Sequence, residues 1–478
     1  MRPVLLVALV AAGCGSDPDR PPTFPVEDHD AGPDRDGGSA DASRPEDPGP
    51  GLREGDLVFW LPWQGPAQQV DLTFEALVRQ LDLHFSIDTT GSFDQEIDEL
   101  QSALREQVIP GVRARVGDAS FGVSRFEDFP IEPFGAATDR PFALLQAQTT
   151  DEELAARAVG RLDDPLGRGG DLPEAGAEAL YQLATGEGFG LGGAEIVEPF
   201  EEAAPGGGTL GGGGFREGAL PIVVQVTDAP AHAPSDYAEY FPGAHSAIQA
   251  IEALGDLGAR VIGIASGEEA RRDLVALAAT TGALAPPGED GTCTTGIDGA
   301  PRAPEVLGQC PLVYDLGGDG AGLSATIVES VATLLGTIVF DSVSIEIEGD
   351  DVGFVVTASP LWADAPGGYA PPGLADLVPE GGDGALDSFT DVPPGTTLAF
   401  RIVLRNTSVR ETDYEQVFFL HARIVADRTT VVDDKLIEIR IPIVSRDGDD
   451  AGLDAGSDAA PDASLDAGLD GGSADASS

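Results

Sequence analysis

The sequence predicts an α/β fold, a doubly wound and mostly parallel sheet, combined with an all-β sandwich of immunoglobulin-like strand count and flanked by disordered acidic termini. Three observations predict it. Between residues 81 and 340, short apolar runs alternate with segments of helical periodicity, the pattern of a parallel sheet covered on both faces. Between 341 and 445 the period changes to in–out alternation broken by Pro, Gly and Asp turns, as in a sandwich. Residues 15–55 and 446–478 are Asp, Gly, Pro, Ser and Ala with almost no apolar content, so they cannot build a core.

In chain order, Arg2 and the apolar run Val4 to Ala12 precede Gly13-Cys14. The run is too short to span a bilayer and reads as an export signal. Ala11-Ala12-Gly13-Cys14 resembles a bacterial lipobox, which implies cleavage before Cys14 and a lipid anchor on it; an ordinary cleaved signal is the alternative. The next residue is Gly15 rather than the aspartate that holds lipoproteins at the inner membrane, so the outer membrane or cell surface is expected. Residues 15–55 then form a tether. Asp56–Pro62 and Gln69–Phe74 read as strands leading in, and strand material on both sides of the α/β segment predicts its insertion into the sandwich.

Within residues 81–340, strands are expected at Leu81–Ile87, Ala119–Phe126, Pro221–Thr227, Ala259–Ala265 and Pro311–Leu316. Helices are expected at Phe93–Val108, Thr150–Leu162, Pro173–Thr185, Gly243–Leu257, Glu268–Ala279 and Leu323–Gly336. The glycine-rich stretch 186–218 reads as an inserted flexible loop. Sandwich strands are expected at Ser342–Glu348, Val352–Ala358, Thr397–Leu404, Gln416–Ile424 and Lys435–Ile443. In the tail, Asp454, Asp458, Asp462, Asp466 and Asp470 recur every four residues; on a helix they would repel along one face, so disorder is expected.

The net charge is −55, and the two termini contribute only −7 and −8, so most of it belongs to the central region. Such a surface repels nucleic acid and anionic lipid and attracts divalent cations. Beyond Cys14 only Cys293 and Cys310 remain, and in an exported chain they are expected to pair as a disulfide.

The chemistry concentrates at Asp88-Thr89-Thr90-Gly91-Ser92, where an aspartate ends a buried strand and hydroxyls follow two and four residues on. Three hard oxygens on one turn suit Mg²⁺ or Mn²⁺. A second strand, Leu220 to Thr227, also ends in an aspartate, Asp228, and between them Gly169-Gly170-Asp171-Leu172-Pro173-Glu174 feeds a helix. In an open parallel sheet such strand ends are where ligands bind.

With these three motifs, the segment 81–340 resembles a von Willebrand factor A domain, and more closely the I-like domain of integrin β-subunits, whose Asp-x-Pro-Glu run is similar to Asp171-Leu172-Pro173-Glu174. The resemblance implies a metal-ion-dependent adhesion site. Mg²⁺ or Mn²⁺ would be held by the hydroxyls of Thr90 and Ser92, by Glu174, and through waters by Asp88 and Asp228, with one position open for a partner's carboxylate. Position 90 is Thr where serine is usual, which keeps the hydroxyl. Gln95 and Glu96 stand where the family has the acidic pair of a neighbouring site. Asp171 is either a ligand of an adjacent Ca²⁺ or the cap of the helix starting at Pro173.

Enzyme chemistries fit poorly. Aspartic proteases use Asp-Thr-Gly twice, whereas here an extra threonine intervenes and there is no second copy. Phosphoryl-aspartate enzymes need a downstream lysine, and the single lysine, Lys435, lies in the sandwich. The five histidines show no ligand spacing, although His232 and His245 flank one loop where zinc is conceivable. The expected function is therefore non-enzymatic: a lipid-anchored surface protein binding a protein or matrix ligand through an exposed carboxylate. The alternative is an envelope scaffold in which the metal only stabilises loops.

Overall fold

The computed structural model describes residues 57–91, 101, 104–163, 165–317, 323–377 and 385–444. Cys14, the tether, Ser92, Gln95, Glu96, most of the helix expected at 93–108 and the aspartate-repeat tail lie outside the described residues.

The chain opens with β1 (Leu57–Trp60) and β2 (Gln68–Glu75), then enters the α/β region with β3 (Gln80–Asp88). A short helix α1 (Ile109–Arg113), β4 (Asp118–Phe126), β5 (Ala143–Thr149), α2 (Glu152–Val159) and α3 (Gly176–Thr185) follow. A hairpin, β6 (Phe189–Leu191) and β7 (Ala194–Val197), leads to β8 (Leu220–Thr227), α4 (Pro234–Tyr237), α5 (Ala247–Leu257), β9 (Arg260–Ala265) and α6 (Glu268–Thr280). The region closes with β10 (Leu284–Ala285), β11 (Cys310–Pro311), β12 (Val313–Asp315) and α7 (Leu323–Thr337). The remaining strands are β13 (Phe340–Glu348), β14 (Val355–Asp364), β15 (Gly373–Ala375), β16 (Ser388–Val392), β17 (Thr397–Leu404), β18 (Gln416–Ala426) and β19 (Thr430–Ile441).

The α/β sheet has the order β12-β9-β8-β3-β4-β5, parallel except for the edge strand β5. Every residue of β8 is buried and all but the first of β3, which requires cover on both faces and explains the apolar run Ile222–Val224 in β8. From β3 the chain moves to β4 on one side; from β8 it moves to β9 on the other. The sheet's switch point therefore lies between β3 and β8. No helix among the described residues is long and apolar enough to cross a membrane.

The other part is a six-stranded sheet, β1-β19-β18-β13-β16-β15, facing a three-stranded one, β14-β17-β2. Phe389 of β16 meets Phe400 of β17 edge-on with ring centroids 5.2 Å apart, so the two sheets share an apolar interior. Strand β1 runs parallel to β19, and β2 runs antiparallel to β17. The chain thus leaves this part at β2 and returns to it at β13. Strands β15 and β16 are additions to the five expected after residue 341.

Three sequence expectations need correction. The strand expected at Pro311–Leu316 is split: Cys310–Pro311 pairs antiparallel with β10, and only Val313–Asp315 joins the main sheet. Helix α3 starts at Gly176, not at Pro173. The glycine-rich stretch 186–218 is structured, with Phe215 fully buried and Arg216 holding Asp82 and Asp118 at 2.7 and 2.6 Å. There the glycines serve close packing: a Cβ on Gly212 would lie 2.2 Å from the Gln182 carbonyl oxygen. Cys293 and Cys310 form the disulfide, with Cα atoms 5.5 Å apart.

Candidate metal centre

Asp88 ends β3, and Asp228 directly follows β8, so both stand at the switch point. Asp88 is fully buried. Its Oδ1 accepts the Thr90 backbone N–H at 3.0 Å and the Thr90 hydroxyl at 2.7 Å, turning the chain sharply away from the strand. Its Oδ2 accepts the Thr227 hydroxyl at 2.7 Å, which ties the ends of the two strands together. The Thr227 oxygen in turn accepts the Ala229 N–H at 3.1 Å and sets the course of the chain past Asp228.

The third loop is held from below by Asp139. Its carboxylate accepts backbone N–H groups of Ala136, Arg168 and Gly169 at 2.9, 3.2 and 3.1 Å. Gly167 donates to the Thr89 carbonyl at 2.9 Å, placing this loop against the first. Glu174 is then fixed by its backbone: its N–H donates to Pro230 and its carbonyl accepts from His232, both at 3.0 Å. A Cβ on Gly169 would lie 2.8 Å from Glu174 Oε1 and 3.6 Å from Thr90 Cγ2, so Glu174 reaches the turn that carries Thr90. Asp88, Thr90, Glu174 and Asp228 thus converge.

Their electrostatics call for a cation. Burial, with repulsion from Asp88, Asp128, Asp228 and Asp171, pushes the Glu174 carboxyl up to about 11. Burial raises Asp88 to about 7, against the lowering effect of the Thr227 and Thr90 hydrogen bonds, with Asp228 adding to the rise. Glu174 Oε2 and Asp228 Oδ1 are buried oxygens without a hydrogen-bond partner. Two unpartnered carboxylate oxygens beside a threonine hydroxyl fit a hard divalent ion such as Mg²⁺ or Mn²⁺.

Asp171 stands apart from this group. Its carboxylate is half exposed and lies 3.3 Å from His232 Nε2. It does not cap α3: Ala175 holds the cap position with no side-chain bond, because the backbone pairing of Glu174 with residues 230–232 delays the helix by three residues. His232 also lies 3.2 Å from Asp128 and 3.1 Å from Asp236. Burial lowers its pKa, but the hydrogen bonds to Asp128 and Asp236 outweigh this and raise it to about 9. Asp128, Asp171 and His232 bring ligand atoms within 4.8 Å of one another, so this second cluster is able to hold a metal; with His232 protonated, the imidazolium itself balances the acids. Sequence reasoning missed Asp128. The available clue was an acid two residues past β4, the strand beside β3. His245 does not join His232 in a zinc site; it pairs with Glu178 at 3.0 Å and stacks on Tyr181.

No family model matches the chain, and no curated protein matches it. Among solved structures, it is similar to a von Willebrand factor type A protein from Catenulispora acidiphila, at 16% identity and TM-score 0.33, over 81% of this chain and 72% of that one. It is also similar to the pilus adhesin SpaC from Lactobacillus rhamnosus GG, at 9% identity and TM-score 0.30, over 80% and 46% of the two chains. A third likeness is to proximal thread matrix protein 1 from the mussel byssus, at 13% identity and TM-score 0.31, over 58% and 51%. The chain spans about half the length of the adhesin and of the thread protein.

Proposed function

We propose that this chain is a non-enzymatic binding protein, anchored by lipid on Cys14 at the outer membrane or cell surface, that captures an acidic residue of a protein or matrix ligand at a Mg²⁺ or Mn²⁺ centre. The observation that carries it is the pair of buried, unpartnered oxygens, Glu174 Oε2 and Asp228 Oδ1, beside Asp88 and Thr90. A bound divalent ion would supply an electrophilic centre with an affinity for an external carboxylate. Glu174, Thr90 and Ser92 are the residues assigned to hold it. Asp88, whose oxygens are already engaged by Thr90 and Thr227, orients the Thr90 hydroxyl and acts through water. The resemblance of the three motifs to the integrin β I-like domain points the same way.

The test is a thermal melt of the chain from residue 15 onward in EDTA, Mg²⁺, Mn²⁺ and Ca²⁺, beside Asp228→Asn and Asp88→Asn. A saturating ion should raise Tm by roughly a few degrees in the parent and leave both variants unmoved. Equal melting in EDTA and Mg²⁺ would remove the centre. A second measurement separates ligand capture from the scaffold alternative: the Mn²⁺-loaded chain should relax acetate protons faster than the Asp228→Asn variant does. No enhancement would mean that the ion only stabilises loops.

A further inference from the structure

Beneath the loop that follows Asp228 lies a cavity of about 380 Å³, within the range of about 300–1,000 Å³ common for small-ligand sites. Phe126, Leu180, Ile251, Leu274 and Leu277 line it, with small residues such as Ala250 between them leaving the space. Among the polar side chains that also line it are Gln225, Thr227 and Ser246. Gln225 is the only polar residue inside the apolar stretch Ile222–Val226 of β8, and it is 3% exposed. Its side-chain oxygen is buried without a hydrogen-bond partner. Gly176, at the start of α3, makes room for the amide: a Cβ there would lie 3.0 Å from Gln225 Nε2.

An unpartnered buried acceptor destabilises a fold, and a ligand bearing a donor removes that cost. The rest of the wall favours an apolar body. Asp273, which accepts the Ala231 N–H at 2.9 Å, stands with exposed Ile248 among the lining residues nearer solvent, while His232, tied to Asp128 and Asp236, lies at the other side. An alkyl carboxylate would meet the field of a chain with net charge −55.

We propose that this cavity binds a small neutral molecule with an apolar body and a single hydrogen-bond donor, of the alkylphenol class, whose hydroxyl donates to the Gln225 side-chain oxygen. The site is built by α3, α5, α6 and β8 and needs no metal, so it stands independently of the function proposed above.

The test titrates 4-ethylphenol, ethylbenzene and 4-ethylbenzoate into the chain from residue 15 onward, in EDTA, with binding followed by NMR. Ethylphenol should perturb resonances of α3, α5 and α6. Ethylbenzene should bind about tenfold more weakly or worse, because it leaves the Gln225 oxygen unpaired. Ethylbenzoate should not bind. Gln225→Met should abolish the preference for the phenol while keeping ethylbenzene binding, and Ala250→Leu should fill the space and abolish both. Equal affinity of phenol and ethylbenzene for the parent, no binding by either, or unchanged binding in Ala250→Leu overturns the proposal. A crystal of the ethylphenol complex with the ligand elsewhere does the same.

Discussion

Gly170 has no side chain to offer, yet the position of Glu174 depends on it. A Cβ at 170 would lie 1.8 Å from the Pro133 carbonyl oxygen, so the loop carrying Glu174 can lie against residues 133–139 only with glycine there. Gly170→Ala should therefore cost about 1–3 kcal/mol in denaturant unfolding, as overpacking does, and weaken Mg²⁺ binding by moving Glu174 away from Thr90. Unchanged stability and metal affinity would mean that the loop relaxes freely. At this scale the sequence was readable where the chemistry is local. Asp88 and Asp228 stand at the ends of buried strands and Thr90 two residues past the first, so the turn they make is written in neighbouring residues. Of the two alternatives for Asp171, the cap fails, and the partner it does have, His232, was out of sight because it lies 61 positions away. Asp128 was missed because it matters only once β4 lies beside β3.

At the scale of elements, β3 carries a residue that an apolar strand would not be expected to choose. His84 is fully buried, within 3.0 Å of Ser124 Oγ, and burial pulls its pKa down to about 3. The folded state thus holds the ring neutral where the unfolded chain, near 6.5, would protonate. Between pH 6.5 and 3 the unfolded state binds the extra proton, so the contribution is complete above 6.5 and falls as pH drops, by at most about 1.4 kcal/mol per unit. Chemical denaturation at pH 7, 5.5 and 4 should give a shallower loss for His84→Gln than for the parent; parallel curves would exclude His84 as a source of acid lability. Residues 284–311 offer a second test. The disulfide closes a loop with a sequence separation of 17, so Cys293→Ser/Cys310→Ser should lose about 3 kcal/mol. Helices and strands were legible here because burial on both faces imposes apolar runs and 3.6-residue periodicity. The stretch 186–218 was not, since glycine content reads as freedom, whereas here it permits backbones to touch and Arg216 to reach Asp82.

At the scale of the whole molecule, the chain passes twice between its two parts, and its contacts follow those passages. Strands β1 and β2 complete the two sheets before the α/β region begins, which ties residues 57–75 to residues 397–441. One continuous buried apolar cluster extends from Phe85 and Val224 to Phe389 and Ile439. Polar ties cross the same boundary. Val431 donates its N–H to the Gly218 carbonyl at 2.8 Å, and Arg260, at the start of β9, pairs with Asp427 in the β18–β19 turn at 2.5 Å. The other Asp427 oxygen accepts the Ser342 N–H at 3.1 Å, where the chain returns from α7. These links predict a single cooperative unfolding transition, with calorimetric and van't Hoff enthalpies in agreement, despite a length at which separate domains are common. Arg260→Met keeps the side-chain volume but leaves Asp427 largely buried and unpaired, which should cost about 2–4 kcal/mol, while Arg260→Met/Asp427→Asn should recover part of that loss. Both variants should still melt in one step at a lower temperature. Two resolved transitions in the parent, or an Arg260→Met variant in which only one of two transitions moves, would show that the parts fold separately and that the paired strands β1 and β2 do not couple them.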